Sequence, residues 1–106
     1  MSLTRDQILG ILLDNLKEGI WILAILHKEE APLAKEKLKL KVNEHYKSQH
    51  DGIELITSRH ILDVLCARLE GAALVDVDTS RHRATKYSIS ELGKLIIEEY
   101  GKRQRR

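Results

Sequence analysis

The sequence predicts a mainly helical domain closed by a small β-hairpin, and three observations predict it. Four stretches before residue 72 repeat apolar side chains at helical spacing. Two short β-prone segments, "ALVDVD" and "ATKYSI", flank the basic turn "TSRHR". Ser90 then stands ahead of a last apolar stripe, Leu92, Leu95, Ile96 and Tyr100. At 106 residues with 42% hydrophobic content, the chain is expected to be one domain with one core.

Thr4 and Gln7 have capping-box spacing, and Ile8, Leu9, Ile11, Leu12 and Leu16 follow at helical intervals, which predicts a first helix over residues 5–17. After Gly19, "IWILAILHK" is apolar almost all round, as a helix buried on several sides must be, and it ends at charged residues before Pro32. "PLAKEKLKLKVNEHYKSQ" fits both a strand, through Leu38, Leu40 and Val42, and a helix, through Leu38, Val42 and Tyr46. Its Ala, Lys, Glu and Leu content and Pro32 beside the start favour helix. Asp51-Gly52 supplies a turn. Thr57 is the expected N-cap of the fourth helix, whose apolar face is Ile61, Leu62, Leu65, Cys66 and Leu69 and whose stop is Gly71. Thr57, His60, Asp63, Val64 and Ala67 point to the opposite side of the wheel. In the hairpin, Thr85, Tyr87 and Ile89 alternate with Lys86 and Ser88, and Tyr87 is expected to pack beneath it. Ser90 caps the fifth helix, with Glu91 in its first turn.

Several function classes drop out. No run reaches the roughly 20 apolar residues of a membrane span, and "MSLTRDQ" lacks the charged and apolar regions of a signal peptide, so no membrane partner is expected. The single cysteine, Cys66, forms no internal disulfide and fits a reducing cytoplasm; on the apolar stripe it reads as a small buried hydrophobe. No phosphate loop, dinucleotide fingerprint or zinc-protease motif is present, and the histidines at 27, 45, 50, 60 and 82 are scattered, so no enzyme, metal or cofactor is expected. Trp21, Tyr46 and Tyr100 are expected in the core. Charge is uneven: residues 80–106 hold eight Lys and Arg against three acidic side chains, although the whole chain is only +2. That concentration points to a local anionic contact.

"TSRHILDVLCARLEGAALVDVD" has the form of a helix running through a leucine-rich phrase into a strand, and "KYSISELGKLI" has the pattern Y-x-[IL]-[ST]-x-x-G-K-x-[IL]. From Ile20 to about Tyr100 these phrases, in this order, resemble the winged helix-turn-helix domains of bacterial and archaeal transcriptional regulators of the broad MarR and PadR neighbourhood. The resemblance implies a core of about residues 20–100, an extra N-terminal helix over 1–18 and a basic tail over 101–106. It makes the third and fourth helices the helix-turn-helix and "TSRHR" the wing tip. The implied function is sequence-specific binding of double-stranded DNA by a transcriptional regulator. Thr57, Ser58, Arg59 and His60 would reach base edges, and Arg81, His82, Arg83 and Lys86 would meet phosphates or a minor groove. Apolar residues in excess of a minimal winged helix, in helix one and the last helix, point to a homodimer; neither an effector nor an operator is legible. The alternative is a winged helix used for protein contacts within a larger assembly, which the acidic and apolar outer face of helix four, Asp63, Val64 and Ala67, would serve.

Overall fold

The computed structural model describes residues 2–79 and 85–104. Five helices and three short strands follow in the order α1 (Arg5–Leu16), α2 (Gly19–Glu29), β1 (Leu33–Ala34), α3 (Lys35–Gln49), α4 (Arg59–Gly71), β2 (Val75–Asp78), β3 (Lys86–Ile89) and α5 (Glu91–Gln104). The strands form one antiparallel sheet in the order β1-β3-β2. This mainly helical arrangement, with α3 and α4 leading into the β2–β3 hairpin and further helices at both ends, is that of a winged helix-turn-helix. The expected wing tip, with Arg81, His82 and Arg83, lies outside the described residues, as do Arg105 and Arg106 at the basic end.

Helix α1 starts at the expected capping box: the Thr4 hydroxyl accepts from the Gln7 N–H at 3.1 Å, and the Gln7 side chain accepts from the Thr4 N–H at 2.9 Å. Helix α2 is the centre of the molecule. Its Ile22, Leu23, Ile25 and Leu26 are buried, and α1, α3, α4, α5 and β3 pack around it, as its all-round apolar sequence requires. Helix α3 buries Leu38 and Val42 and leaves Leu40 exposed, so the helical reading of this segment holds. Its last turn leads into Asp51 and Gly52, both with positive φ.

Three local features differ from the sequence expectation. Leu33 and Ala34 form β1, a two-residue strand paired with Tyr87 and Lys86. The N-cap of α4 is Ser58, whose hydroxyl accepts from the Ile61 N–H, and not Thr57. The reason lies one step back. Asn43 on α3 donates to the Ile56 carbonyl at 2.9 Å and accepts from the Ile56 N–H at 2.8 Å, burying Ile56 completely. The chain leaves that tie extended, and the helix begins only at Arg59. On α5, Leu95 and Tyr100 are exposed, because the helix meets the core through Gly93 and Ile96.

Gly93 explains how α5 docks. A Cβ there would collide with the Leu74 carbonyl oxygen and lie 2.7 Å from Ile89 Cγ1. Ser90 completes the junction: its hydroxyl donates to the Ala73 carbonyl at 2.8 Å and accepts from the Gly93 N–H at 3.0 Å. On the other side of this junction α4 ends in a Schellman motif, with the Leu74 N–H on the Leu69 carbonyl and the Ala73 N–H on the Glu70 carbonyl. Ala73, not a glycine, takes the left-handed position at φ 58°. Leu69 and Leu74, at the two positions whose apolar contact commonly accompanies such a stop, are both buried.

Candidate nucleic-acid interface

The amino-terminal end of α4 carries four consecutive exposed residues, Thr57, Ser58, Arg59 and His60. Thr57 and His60 lie opposite the face, Leu62, Leu65, Cys66 and Leu69, that is sealed in the core; Arg59 lies at its flank and Ser58 caps the helix. The Ser58 oxygen accepts one capping bond, which leaves its hydroxyl hydrogen and its second lone pair to offer outward.

The root of the hairpin reaches the same face through β1. Ala34, the residue before α3, pairs with Lys86 of β3, so Lys86 stands beside the start of α3 and its side chain is exposed. A cleft of about 310 Å³ runs between these elements, lined by Ala34, Lys35, Glu36, Arg59, Thr85 and Tyr87. Beneath it Tyr87 is buried, as expected, and its hydroxyl donates to Glu70 at 3.3 Å. Burial raises the Tyr87 pKa, so the phenol stays protonated.

Sequence reasoning placed Arg59 and Asp63 on this helix but missed how they are linked to α3. Arg59 Nε donates to Asp63 Oδ1 at 3.0 Å and its Nη1 to Glu36 Oε1 at 2.8 Å. Lys35 Nζ donates to the same Asp63 oxygen at 2.9 Å. The hydrogen bond from Lys35, and then that from Arg59, holds the Asp63 carboxyl below its ordinary range. The bond to Asp63 correspondingly raises Lys35 and Arg59. The Asp63 link was visible as an i, i+4 pair. Glu36 lies 23 residues from Arg59, and no local pattern connects them.

At the other end of α3 the structure gathers residues that looked unrelated in sequence. Trp21, half-buried, meets Tyr46 edge-on at 5.0 Å between ring centroids and also touches His45 and His50. Tyr46 and His50 stack at 3.8 Å. Among the described residues no group of three or more His, Cys, Asp or Glu side chains converges as a metal site, and no helix is long and apolar enough to cross a membrane.

No family model matches the chain. It is 34% identical over 110 residues to DNA-binding protein TubR of Bacillus cereus (strain ATCC 10987 / NRS 248), a match covering 97% of this chain and 91% of that protein.

Proposed function

Because the chain belongs to the family of DNA-binding protein TubR, we propose that it binds double-stranded DNA in a sequence-specific manner and acts as a transcriptional regulator without catalysing a reaction. The observation that carries this reading is geometric. Arg59, within the exposed run at the start of α4, lines one cleft with Thr85 at the root of the hairpin, where Lys86 pairs with Ala34 beside the start of α3. The start of α4 enters the major groove, where Thr57, Ser58, Arg59 and His60 reach base edges. Lys86, with Arg81, His82 and Arg83 at the wing tip, contacts phosphates or the adjacent minor groove. The wing phrases support kinship with MarR- and PadR-like regulators. The acting form is a cytoplasmic homodimer joined through α1 and α5.

A titration of duplex DNA at several salt concentrations tests this, together with selection from a random-sequence pool. Alanine at Arg81, Arg83 or Lys86 lowers affinity for all duplexes alike and reduces the salt slope by up to about one per lost contact. Alanine at Thr57, Arg59 or His60 instead narrows the preference for the selected site, by about 1–3 kcal/mol where a bidentate contact is lost. A second reading, a protein-binding winged helix, draws on the exposed Val64 and Ala67 of α4. It predicts that the selection enriches no sequence and that a partner protein co-purifies.

A further inference from the structure

The quartet at the start of α4 presents a difficulty for any contact that Arg59 makes. Two cations, Lys35 and Arg59, are matched by two carboxylates, Asp63 and Glu36, through three bonds of 2.8–3.0 Å. Arg59 is the best candidate for bidentate recognition on this face, yet its Nε and Nη1 are already engaged. The two carboxylates play unequal parts. Asp63 is on the same helix and accepts from both cations through one oxygen. Glu36 belongs to another helix and is 72% exposed at its side chain, so its hold on Nη1 is the one that an incoming group displaces most easily. Displacing it frees Nη1 and leaves Nη2 beside it, a parallel pair of donors, while Asp63 keeps Nε oriented.

We propose that Asp63 and Glu36 are specificity-determining residues that act as an internal substitute for phosphate, neutralising Lys35 and Arg59 towards arbitrary DNA and releasing Arg59 only to a group that replaces Glu36 with matching geometry. The inference rests on the DNA-binding reading above. A phosphate of a random duplex, although its two free oxygens can also take Arg59 bidentately, only exchanges one ion pair for another already made, with little net release of counterions. A guanine edge, with its O6 and N7 acceptors, offers the bidentate exchange. The ordinary cost of this arrangement is lower affinity, and its gain is discrimination.

The test measures random-duplex and selected-site affinity against salt for the full chain and for Glu36→Gln, Asp63→Asn and Glu98→Gln. Glu98→Gln removes one negative charge from the exposed side of α5, away from the quartet. The expected result is a random-duplex affinity about three- to tenfold higher for Glu36→Gln at 100 mM salt, with a salt slope steeper by up to about one; Asp63→Asn, which frees Lys35 and leaves Arg59 on Glu36, likewise steepens it by up to about one. Affinity for the selected site rises less, so the ratio of selected to random binding falls. Glu98→Gln leaves the ratio unchanged. Equal gains on both duplexes, gains no larger than those of Glu98→Gln, or unchanged slopes would each overturn the proposal. Unaltered thermal melting of Glu36→Gln, a surface change, keeps the result readable if Asp63→Asn unfolds the start of α4. Wild-type protein that binds no duplex, or selects no sequence, defeats the DNA-binding reading itself, an outcome distinct from a failure confined to the variants.

Discussion

Single side chains decide two properties that can be measured without any ligand. Gly93 is the point of closest approach between α5 and the α4–β2 junction, and its missing Cβ is the condition for that approach. Alanine there meets a backbone carbonyl that no rotamer change can move, so Gly93→Ala is expected to lose about 3 kcal/mol or more, a large share of a small domain's stability. A denaturant titration checks this; a loss below 1 kcal/mol would mean that α5 docks differently. Cys66 gives the second property. It is 1% exposed, and burial pushes its thiol up to about 11. The thiolate fraction near pH 8 is then about a hundredfold smaller than for an ordinary cysteine, and labelling of the native protein by a thiol reagent should be slowed at least that much, with full reactivity in denaturant. The same shift sets a pH dependence of stability. A thiol that holds its proton longer when folded contributes fully below its unfolded value of about 8.5, and that contribution is lost as pH rises towards 11. The fall in melting temperature over that window should be shallower in Cys66→Ala than in wild type.

At the scale of elements, α4 depends on two attachments, one apolar and one polar. Leu65 and Leu69 are one turn apart on its buried face, at 4% and 1% exposure. Alanine at either should cost about 2–5 kcal/mol, whereas alanine at the exposed Thr57 or His60 should stay within about 0.5 kcal/mol. Equal losses at all four would reverse the assignment of the faces. The polar attachment is Asn43, which satisfies both backbone groups of the buried Ile56. Asn43→Ala leaves those groups unpaired, for an expected loss of about 2–4 kcal/mol, and loosens the start of α4. Amide exchange at Ile56 should accelerate in step. These attachments also mark what the sequence revealed of the fold. The helices were legible because apolar period and caps are local signals; Leu38, Val42 and the stripe of α4 fell where the period put them. The strand β1 was not, since two residues become a strand only by pairing with Tyr87 and Lys86 more than fifty positions away. The choice of Ser58 over Thr57 as cap was likewise set at a distance, by Asn43. For the candidate site, Thr57 and His60 could be read from the wheel and Ser58 and Arg59 only from the resemblance, while the engagement of Arg59 by Glu36 needed the packing of α3 against α4.

For the whole molecule, the distribution of apolar surface carries a further expectation. Leu3, Ile8 and Ile11, in and just ahead of α1, are 52%, 45% and 47% exposed, and Leu95 and Tyr100 of α5 are 38% and 39% exposed. These helices pack against each other, with the Arg103 guanidinium lying over Gly10, and a shallow groove runs between them, lined by Leu3, Ile11 and Arg103 among others. Leu9 and Leu16 already join α1 to the core, so the exposed residues are surplus to closing one monomer. Apolar side chains scattered singly need no partner, but Ile8 and Ile11, three apart on α1, form a short exposed stripe. A second copy offers the same stripe, and a twofold axis would pair it with itself. Dimerisation through α1 and α5 therefore predicts a mass of two chains by light scattering at micromolar concentration. Ile8→Glu and Ile11→Glu should return the mass to one chain while leaving the melting temperature of the monomer unchanged, because neither side chain belongs to the core. They should also weaken binding to a selected site with two half-sites more than binding to one half-site, since only the dimer engages both. A mass fixed at one chain across the micromolar range would overturn this, and the exposed apolar residues of α1 would then be surface alone.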